Sequence, residues 1–558
     1  MPTHSAHAHR RRSLPVWAVL WAVLVAAGLW LRPLMPVDET RYLAVAWEMW
    51  RDGNFLVPHL NGEAYSHKPP LLFWLMHLGW AVFGVSETWA RMIAPLFGLA
   101  SLALTAAIAR TLWPGETGIA RTAPLILIGM VFFALFTTLT MFDMLVTAFS
   151  LLGLLGILWA ARAQTAGRFV LGFGLLALAI GLGVLAKGPA ILLHTLPVAL
   201  LAPWWIARDD GRLSPPGGWL AWHGGILAAL LVGAAIALAW ALPAAEAGGE
   251  AYRDAIFWGQ SAGRITNSFA HQRAWWWYLA ILPALLLPWT VWPKVWRGAW
   301  RACRDRGILA ARAHRFLISW IVPAVVVFSA ISGKQPHYLL PELAAFALLI
   351  AAFVKRAPDA ADATGRFDLA LPGGVIAAIG LIGLIAPLTP FAARIPDAVA
   401  PVWFALPLAA GAGVIVLSLR APNLCSGARA GLLAGLGATL IIGLHLAARA
   451  ELDRAFDTAP MARHLAGLTA QGVPIAHYGK YHGQFHFAGR YPSDFEITVE
   501  GPEDAAAWAR KNPDGWLIVY RDEVPTDVPE DRVWAFRGKS AVLLAAPEIL
   551  ADPRRVLP

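Results

Sequence analysis

From about residue 14 to about residue 450, long apolar runs alternate with short charged connections. Runs of about 20 residues match the hydrocarbon core of a bilayer, so the pattern predicts a polytopic α-helical membrane protein. Hydropathy alone gives fourteen such stretches when Leu71–Phe83 is counted. If that stretch spans, the cluster Lys294, Arg297, Arg301, Arg304, Arg306, Arg312 and Arg315 falls outside, with Lys355-Arg356 and Arg208/Arg212. If it lies flat on the outer surface, all of these fall inside, as do Arg110/Arg121, Arg162/Arg168 and Arg420/Arg429. The bias of Lys and Arg toward cytoplasmic loops selects the second arrangement, and Lys68-Pro69-Pro70 suits the start of an interfacial or re-entrant helix. Thirteen spans follow, over 14–34, 89–110, 122–141, 143–161, 169–186, 189–207, 220–242, 276–294, 315–332, 338–354, 371–388, 401–419 and 429–448.

This arrangement divides the chain into a transmembrane part, 1–450, and a C-terminal part, 451–558. It puts loops 35–88 and 244–275, the turn Ser332–Tyr338 and the C-terminal part on the outer side. In the first loop Leu43, Ala46/Trp47 and Trp50 share one face of a predicted in-plane helix. The C-terminal part reads as a soluble α/β domain. Val473–Tyr478, Trp516–Tyr520, Arg532–Phe536 and Ala541–Ala545 have strand character, while Met461–Leu468 and Asp504–Arg510 have helix character.

Composition agrees with this division. The 558 residues are 58% hydrophobic and only 14% charged, against roughly a quarter charged in a soluble protein. The net charge of +10 then belongs to cytoplasmic loops and marks no nucleic-acid partner. The 28 tryptophans fit interfacial belts. Cys303 and Cys425 fall in short polar connections on the inner side and imply no disulfide framework. Arg10-Arg11-Arg12 before the first run resembles a signal peptide, but the run is too long for one and has no clear cleavage site, so it reads as an uncleaved first helix.

The chemistry gathers on the outer side. Asp38 and Glu39, followed by Arg41, stand where the first run meets the outside; adjacent carboxylates there can hold a cation, activate a nucleophile or stabilise an oxocarbenium-like centre. The plain alternative is a solvated helix end neutralised by Arg41. Lys68 offers a point charge for a lipid phosphate and Tyr65 a hydroxyl donor, the alternative being a snorkelling lysine. Asp143 lies in an almost wholly apolar stretch, at the depth of Asp38, and reads either as a site residue or as a helix cap. Arg253 beside aromatics can clamp a phosphate or pair with Glu250 or Asp254. Lys334 and Tyr338 carry the same two readings, and Lys187 reads as an interfacial anchor. His59, His67, His271 and His337 all fall outside. With the acids they could build a Zn²⁺ site, His67 foremost, although no tight histidine spacing supports one.

An acidic pair after the first span, Lys68-Pro69-Pro70-Leu71, an outer Asp between the third and fourth spans, and Ser332-Gly333-Lys334-Gln335-Pro336-His337-Tyr338-Leu339-Leu340-Pro341 occur in that order. So do Val57-Pro58-His59-Leu60-Asn61-Gly62, Gly259-Gln260 and His271-Gln272-Arg273-Ala274-Trp275. Together they resemble the GT-C glycosyltransferases of the protein O-mannosyltransferase superfamily, in particular the aminoarabinose transferases that modify lipid A. His67 departs from the pattern, since relatives often carry Glu before the Lys. The resemblance implies a GT-C membrane domain with an outer C-terminal domain at the bacterial inner membrane. It implies a monomer with no required cofactor that transfers 4-amino-4-deoxy-L-arabinose from undecaprenyl phosphate to lipid A phosphates. Asp38, Glu39 and Asp143 would serve catalysis, and Tyr65, Lys68, Arg253, Lys334, Tyr338 and Arg41 the lipid phosphate.

Two rival readings are a transferase to protein Ser or Thr hydroxyls, which would need a general base, and a polyprenyl-lipid transporter. Transporters often carry repeated halves with midplane sites. No repeat is visible here and the charged candidates share one face, which favours an enzyme.

Overall fold

The computed structural model describes residues 14–206, 215–259, 272–305, 311–357, 367–421, 423–498 and 501–557. Arg10–Arg12, Arg208, Arg212, Gln260, His271 and Arg306 lie outside them. Every one of the thirteen apolar segments is helical in whole or in part. Nine helices among the described residues are long and apolar enough to cross a bilayer, from Glu87–Leu112 to the continuous stretch Ser426–Ala470. The chain is a multi-pass membrane protein.

The remaining four segments depart from the expected lengths. Val16–Trp30 has 15 residues. Segment 122–141 is two helices, Thr117–Gly129 and Val131–Phe136, and 189–207 is Ile191–Leu200 followed by Ala202–Ile206. Segment 276–294 stops at Leu285, resumes as one turn at Trp289–Val291, and gives way at Pro293 to the cationic helix Pro293–Arg304. Proline suits this last restart, because it supplies no N–H and its fixed φ fits a helix's first turn. Loop 244–275 begins later than expected, because Gly218–Asp254 continues past residue 242 and only kinks at Gly249, whose φ is 81°. Leu71–Phe83 is a 13-residue helix, about 20 Å long at 1.5 Å per residue, short of the roughly 30 Å needed to span.

Helix packing relies on small residues. A Cβ added to Gly156 would come within 2.4 Å of the Gly172 carbonyl, and one at Gly172 would meet the Ala160 backbone at 2.6 Å. The helices Asp143–Ala161 and Ala166–Lys187 therefore touch backbone to backbone, as lipid-embedded helices without a solvent-driven hydrophobic force often do.

Segment 35–88 folds into the helix Asp38–Arg51, a hairpin of β1 (His59–Leu60) with β2 (Glu63–Ala64), and the helix Leu71–Phe83. Acids at the start of the first of these helices and Arg51 at its end suit its dipole. Its Tyr42, Leu43, Val45, Ala46 and Met49 join one core with Leu72, Phe73, Met76 and Phe142.

Beyond the last long helix lies a five-stranded sheet: β3 (Ile475–Tyr478), β4 (Glu496–Thr498), β5 (Trp516–Arg521), β6 (Val533–Phe536) and β7 (Lys539–Ala545), in the order β4-β3-β5-β7-β6. β3 runs parallel to both β4 and β5, while β7 is antiparallel to β5 and β6. The four expected strands are present within a few residues, as are helices Ala459–Ala470 and Pro502–Lys511. The short edge strand β4 gave too few alternating positions to read. The region around this sheet docks on segment 35–88. Trp47 Nε1 donates to the Tyr491 carbonyl at 2.9 Å, and Asn61 exchanges two 2.9 Å hydrogen bonds with the Phe495 backbone. Trp80 stacks on Phe487 at 5.7 Å.

His477 on β3 is fully buried, its Nδ1 3.1 Å from the Gly479 carbonyl and its Nε2 3.3 Å from the Tyr520 hydroxyl. Burial pushes its pKa down to about 4. The unfolded chain therefore binds a proton between pH 6.5 and 4 that the folded sheet refuses, so this stability is full above pH 6.5 and is lost as pH falls toward 4. Melting of the purified protein between pH 7 and 4.5 is expected to show a falling midpoint, with a shallower fall in His477→Gln. Parallel slopes for the two proteins would refute the assignment.

Candidate functional site

The Asp38–Arg51 helix carries its two acids on opposite errands. Glu39 is buried, and its carboxylate accepts from the Arg32 guanidinium, from the Met35 N–H at 2.9 Å and from the Thr140 N–H at 2.7 Å. Burial alone would raise its pKa, but the Arg32 charge and these hydrogen bonds, with Arg91 nearby, hold it below the usual carboxylate value. With these bonds in place Glu39 is an anchor. It ties the start of the outer helix to the end of the first span through Arg32 and to the 137–142 turn through Thr140. The carboxylate expected beside Asp38 in catalysis is thus engaged by three groups of the protein.

Asp38 is the helix's first residue, and its side chain stays about half exposed. The Tyr42 hydroxyl lies 3.4 Å from Oδ1 and the Arg41 guanidinium 3.9 Å away. Burial, with Asp38 second, raises the Tyr42 hydroxyl well above its ordinary pKa, so it stays a donor. Tyr42 packs edge-on against Phe142 at 4.8 Å, next to Asp143.

Asp143 opens the helix Asp143–Ala161 and is 5% exposed. Lys187, the last residue of Ala166–Lys187, reaches its Oδ1 at 2.5 Å, and His337 Nε2 lies 3.9 Å from the same oxygen. Lys68 acts electrostatically on both Asp143 and His337, and Asp38 on His337. The Lys187 ammonium sits over the Tyr338 ring, 5.1 Å from its centroid, and Tyr65 and Asp143 both act on Tyr42. Five segments of the chain thus bring Asp38, Arg41, Tyr65, Lys68, Asp143, Lys187, His337 and Tyr338 together. The C-terminal domain adds to this face, since His482 responds to Arg41, Lys480 and Asp38. Burial first, with those cations, pushes the His482 imidazole down to about 4, so it is neutral at pH 7.

Two expected residues, Lys334 and Arg253, are engaged elsewhere, while His67 stands beside the gathered set. The Lys334 ammonium is buried and donates to the carbonyls of Ile331 at 2.6 Å and Arg273 at 3.0 Å, so it holds the 332–338 turn together. Arg253 is half exposed and pairs with Glu250 at 3.3 Å and Asp254 at 3.4 Å on its own helix. His67 packs at 5.3 Å from the Tyr65 ring. The group of three potential metal ligands found among the described residues is Glu48, His486 and Asp494, without His59, His67 or His337.

The sequence reading passed over Lys187 as an anchor. The signal was available: Lys187 ends a span whose outer end lies level with Asp143 under the same loop count. Arg32 gave no such signal, because its partner Glu39 was assigned to chemistry.

The arrangement places two carboxylates, several cations and tyrosine hydroxyls at the ends of apolar helices. Such a set can neutralise a phosphate and stabilise positive charge on a neighbouring carbon or amine.

Residues 67–240 match the family described as dolichyl-phosphate-mannose-protein mannosyltransferase. The chain is 31% identical over 325 residues to the undecaprenyl phosphate-alpha-4-amino-4-deoxy-L-arabinose arabinosyl transferase 2 of Pseudomonas fluorescens, covering 58% of this chain and 55% of that protein. The corresponding transferase of Serratia proteamaculans is 30% identical over 346 residues, covering 60% of this chain and 59% of its own length. The alignments thus span little more than half of these curated relatives. In structure, the chain is similar to ArnT from Cupriavidus metallidurans bound to undecaprenyl phosphate, with a TM-score of 0.73, 19% identity and coverage of 95% of this chain and 97% of that one. The apo form of the same protein gives a TM-score of 0.71 at 19% identity, covering 96% and 98%. The expected GT-C membrane fold with a C-terminal sheet is therefore present.

Proposed function

We propose that this GT-C chain transfers 4-amino-4-deoxy-L-arabinose from undecaprenyl phosphate to the phosphates of lipid A, at the periplasmic face of the inner membrane and as a monomer. The observation that carries this reading is the convergence of Asp38, Lys68, Asp143, Lys187, His337 and Tyr338 at the ends of apolar helices. The names of the curated relatives supply the sugar and its lipid carrier.

In the proposed reaction an acceptor phosphate oxygen attacks the anomeric carbon. The carbon's bond to the carrier phosphate breaks, and its electron pair leaves with undecaprenyl phosphate. Lys68 and Lys187 stabilise the charge that develops on that leaving group. A phosphate monoester has its second pKa near 6 and is mostly ionised at neutral pH, so the acceptor needs no base. Asp38, exposed and flanked by Arg41 and Tyr42, faces the sugar and offsets the positive character of its anomeric carbon and amine.

Mass spectrometry of lipid A from cells with and without the protein tests the reading directly. An added aminoarabinose on lipid A phosphates is expected, and an unchanged lipid A overturns it. A second reading, mannosyl transfer to a protein hydroxyl, draws on the family match over residues 67–240; glycosylated protein with unmodified lipid A would favour it.

The phosphate contacts can be ranked. Lys68→Ala removes a charge facing the Asp143–His337 group and is expected to slow transfer about 10–100-fold, the worth of one charge-assisted contact. Arg253→Ala, exposed and already paired on its own helix, is expected to cost much less. Steady-state turnover with defined donor and acceptor reads both, and the reverse order would move the phosphate site to Arg253. Orientation is separately testable: reporter fusions after Gly84 and after Leu452 should both report periplasm, and a cytoplasmic signal at either rejects the thirteen-span arrangement.

A further inference from the structure

Three ligand groups meet where the C-terminal domain docks on the Asp38–Arg51 helix. Glu48, on that helix, is fully buried, and its carboxylate accepts from the Asn61 N–H at 2.7 Å and the Gly62 N–H at 3.2 Å. His486 is fully buried too, and among the described residues its Nε2 makes no hydrogen bond of good geometry, although the Ser493 backbone acts on the ring. Asp494 stands at the rim, 3.9 Å from His486 Nε2 and 3.1 Å from Arg51. Single ligand atoms of all three lie within 4.8 Å of one another.

We propose that Glu48, His486 and Asp494 form a binding site for a divalent transition-metal ion, of which Zn²⁺ is the best matched, and that this ion clamps the C-terminal domain to the helix bearing Asp38. Imidazole nitrogen with two carboxylates is a set that Zn²⁺ accepts, with a fourth position left open. The imidazole is already aimed. Its Nδ1 lies 2.8 Å from the Tyr481 hydroxyl, which also accepts from the Phe485 N–H, so the ring cannot turn freely. Outer hydrogen bonds of this kind orient metal-binding histidines.

The charges also ask for a cation. The nearby cation, Arg51, is committed to Asp52, at 2.5 and 2.8 Å, and to Asp494. Among the described residues Glu48 is left with two backbone N–H groups and no direct ion pair, which is costly for a buried carboxylate. A bound cation takes the deprotonated form of both groups and supplies the charge that Glu48 lacks as a direct partner. Gly62 keeps the rim open: it has φ of 77°, and a Cβ there would lie 2.7 Å from Asp494 Oδ2.

The test uses the full-length protein in detergent, stripped with chelator and equilibrated with Zn²⁺ or Co²⁺. One Zn²⁺ per chain is expected by elemental analysis, together with visible Co²⁺ absorption of a nitrogen–oxygen site. Glu48→Gln and His486→Gln should each weaken binding at least tenfold, Asp494→Asn and Gly62→Ala should weaken it, and His67→Ala should leave it unchanged. Should the buried variants fail to fold, the rim variants Asp494→Asn and Gly62→Ala decide with the wild-type Co²⁺ spectrum. Substoichiometric metal in the wild type, binding indifferent to all four substitutions, or binding lost in His67→Ala would each overturn the proposal.

Discussion

Asp38→Asn is expected to lower transfer by about 10²–10³-fold, the usual worth of a positioned electrostatic group, and to leave the protein folded. The two halves of this expectation come from different features of the same helix. Asp38 is about half exposed, with its neighbours Arg41 at 3.9 Å and Tyr42 at 3.4 Å as contacts, so losing its charge strands no buried partner. Glu39 holds the helix in place through Arg32, Met35 and Thr140 and is untouched. Glu39→Gln should therefore behave in the opposite way, costing stability before activity, because it leaves the buried Arg32 charge uncompensated. Transfer by Asp38→Asn measured from pH 6 to 9, normalised to the wild type, also separates the acceptor classes. An acceptor phosphate is ionised over most of that range, so no selective recovery at high pH is expected. A hydroxyl acceptor would regain rate as base becomes available, and such recovery would favour the protein-directed reading. Full activity at every pH would remove Asp38 from the site.

The sequence carried the architecture because the membrane makes a simple demand. Each span must be apolar for about 20 residues, and the loops must sort their charges, so both signals survive without any knowledge of contacts. The breaks in 117–136, 191–206 and 277–291 stayed hidden because hydropathy does not register a short interruption of the helix. The site was legible one residue at a time: Asp38, Lys68, Asp143 and Tyr338 were each out of place in their surroundings. What composition cannot show is which charge satisfies which. Glu39 and Asp38 are adjacent letters, yet one points into the bundle at Arg32 and the other remains accessible. Lys334 looked like Lys68, but carbonyls of its own turn and of residue 273 consume its donors. The Glu48–His486–Asp494 group joins positions more than 430 residues apart, and no spacing rule reaches that far.

The second large effect is expected from the pair of Asp143 and Lys187. Their 2.5 Å contact is mostly buried, with side chains 7% and 19% exposed, and breaking such a pair from one side typically costs about 3–5 kcal/mol because the other charge stays behind. Asp143→Asn leaves Lys187 beside Lys68 and His337 with the site's buried anion gone, so it should destabilise the protein and lower transfer together. Lys187→Met leaves Asp143 with Lys68 and His337 still acting on it, so its stability loss should be smaller, while transfer falls by more than 10²-fold if Lys187 neutralises the departing phosphate. The double variant decides between scaffold and chemistry. Replacing both partners removes the stranded charge, so stability should return toward wild type, and the coupling energy of the cycle reads the pair directly. Transfer should not return with it. Thermal unfolding and single-turnover transfer on the four proteins measure both quantities. Recovery of activity alongside stability in the double variant would make Asp143 and Lys187 a packing element, and the developing phosphate charge would then have to be met by Lys68 alone.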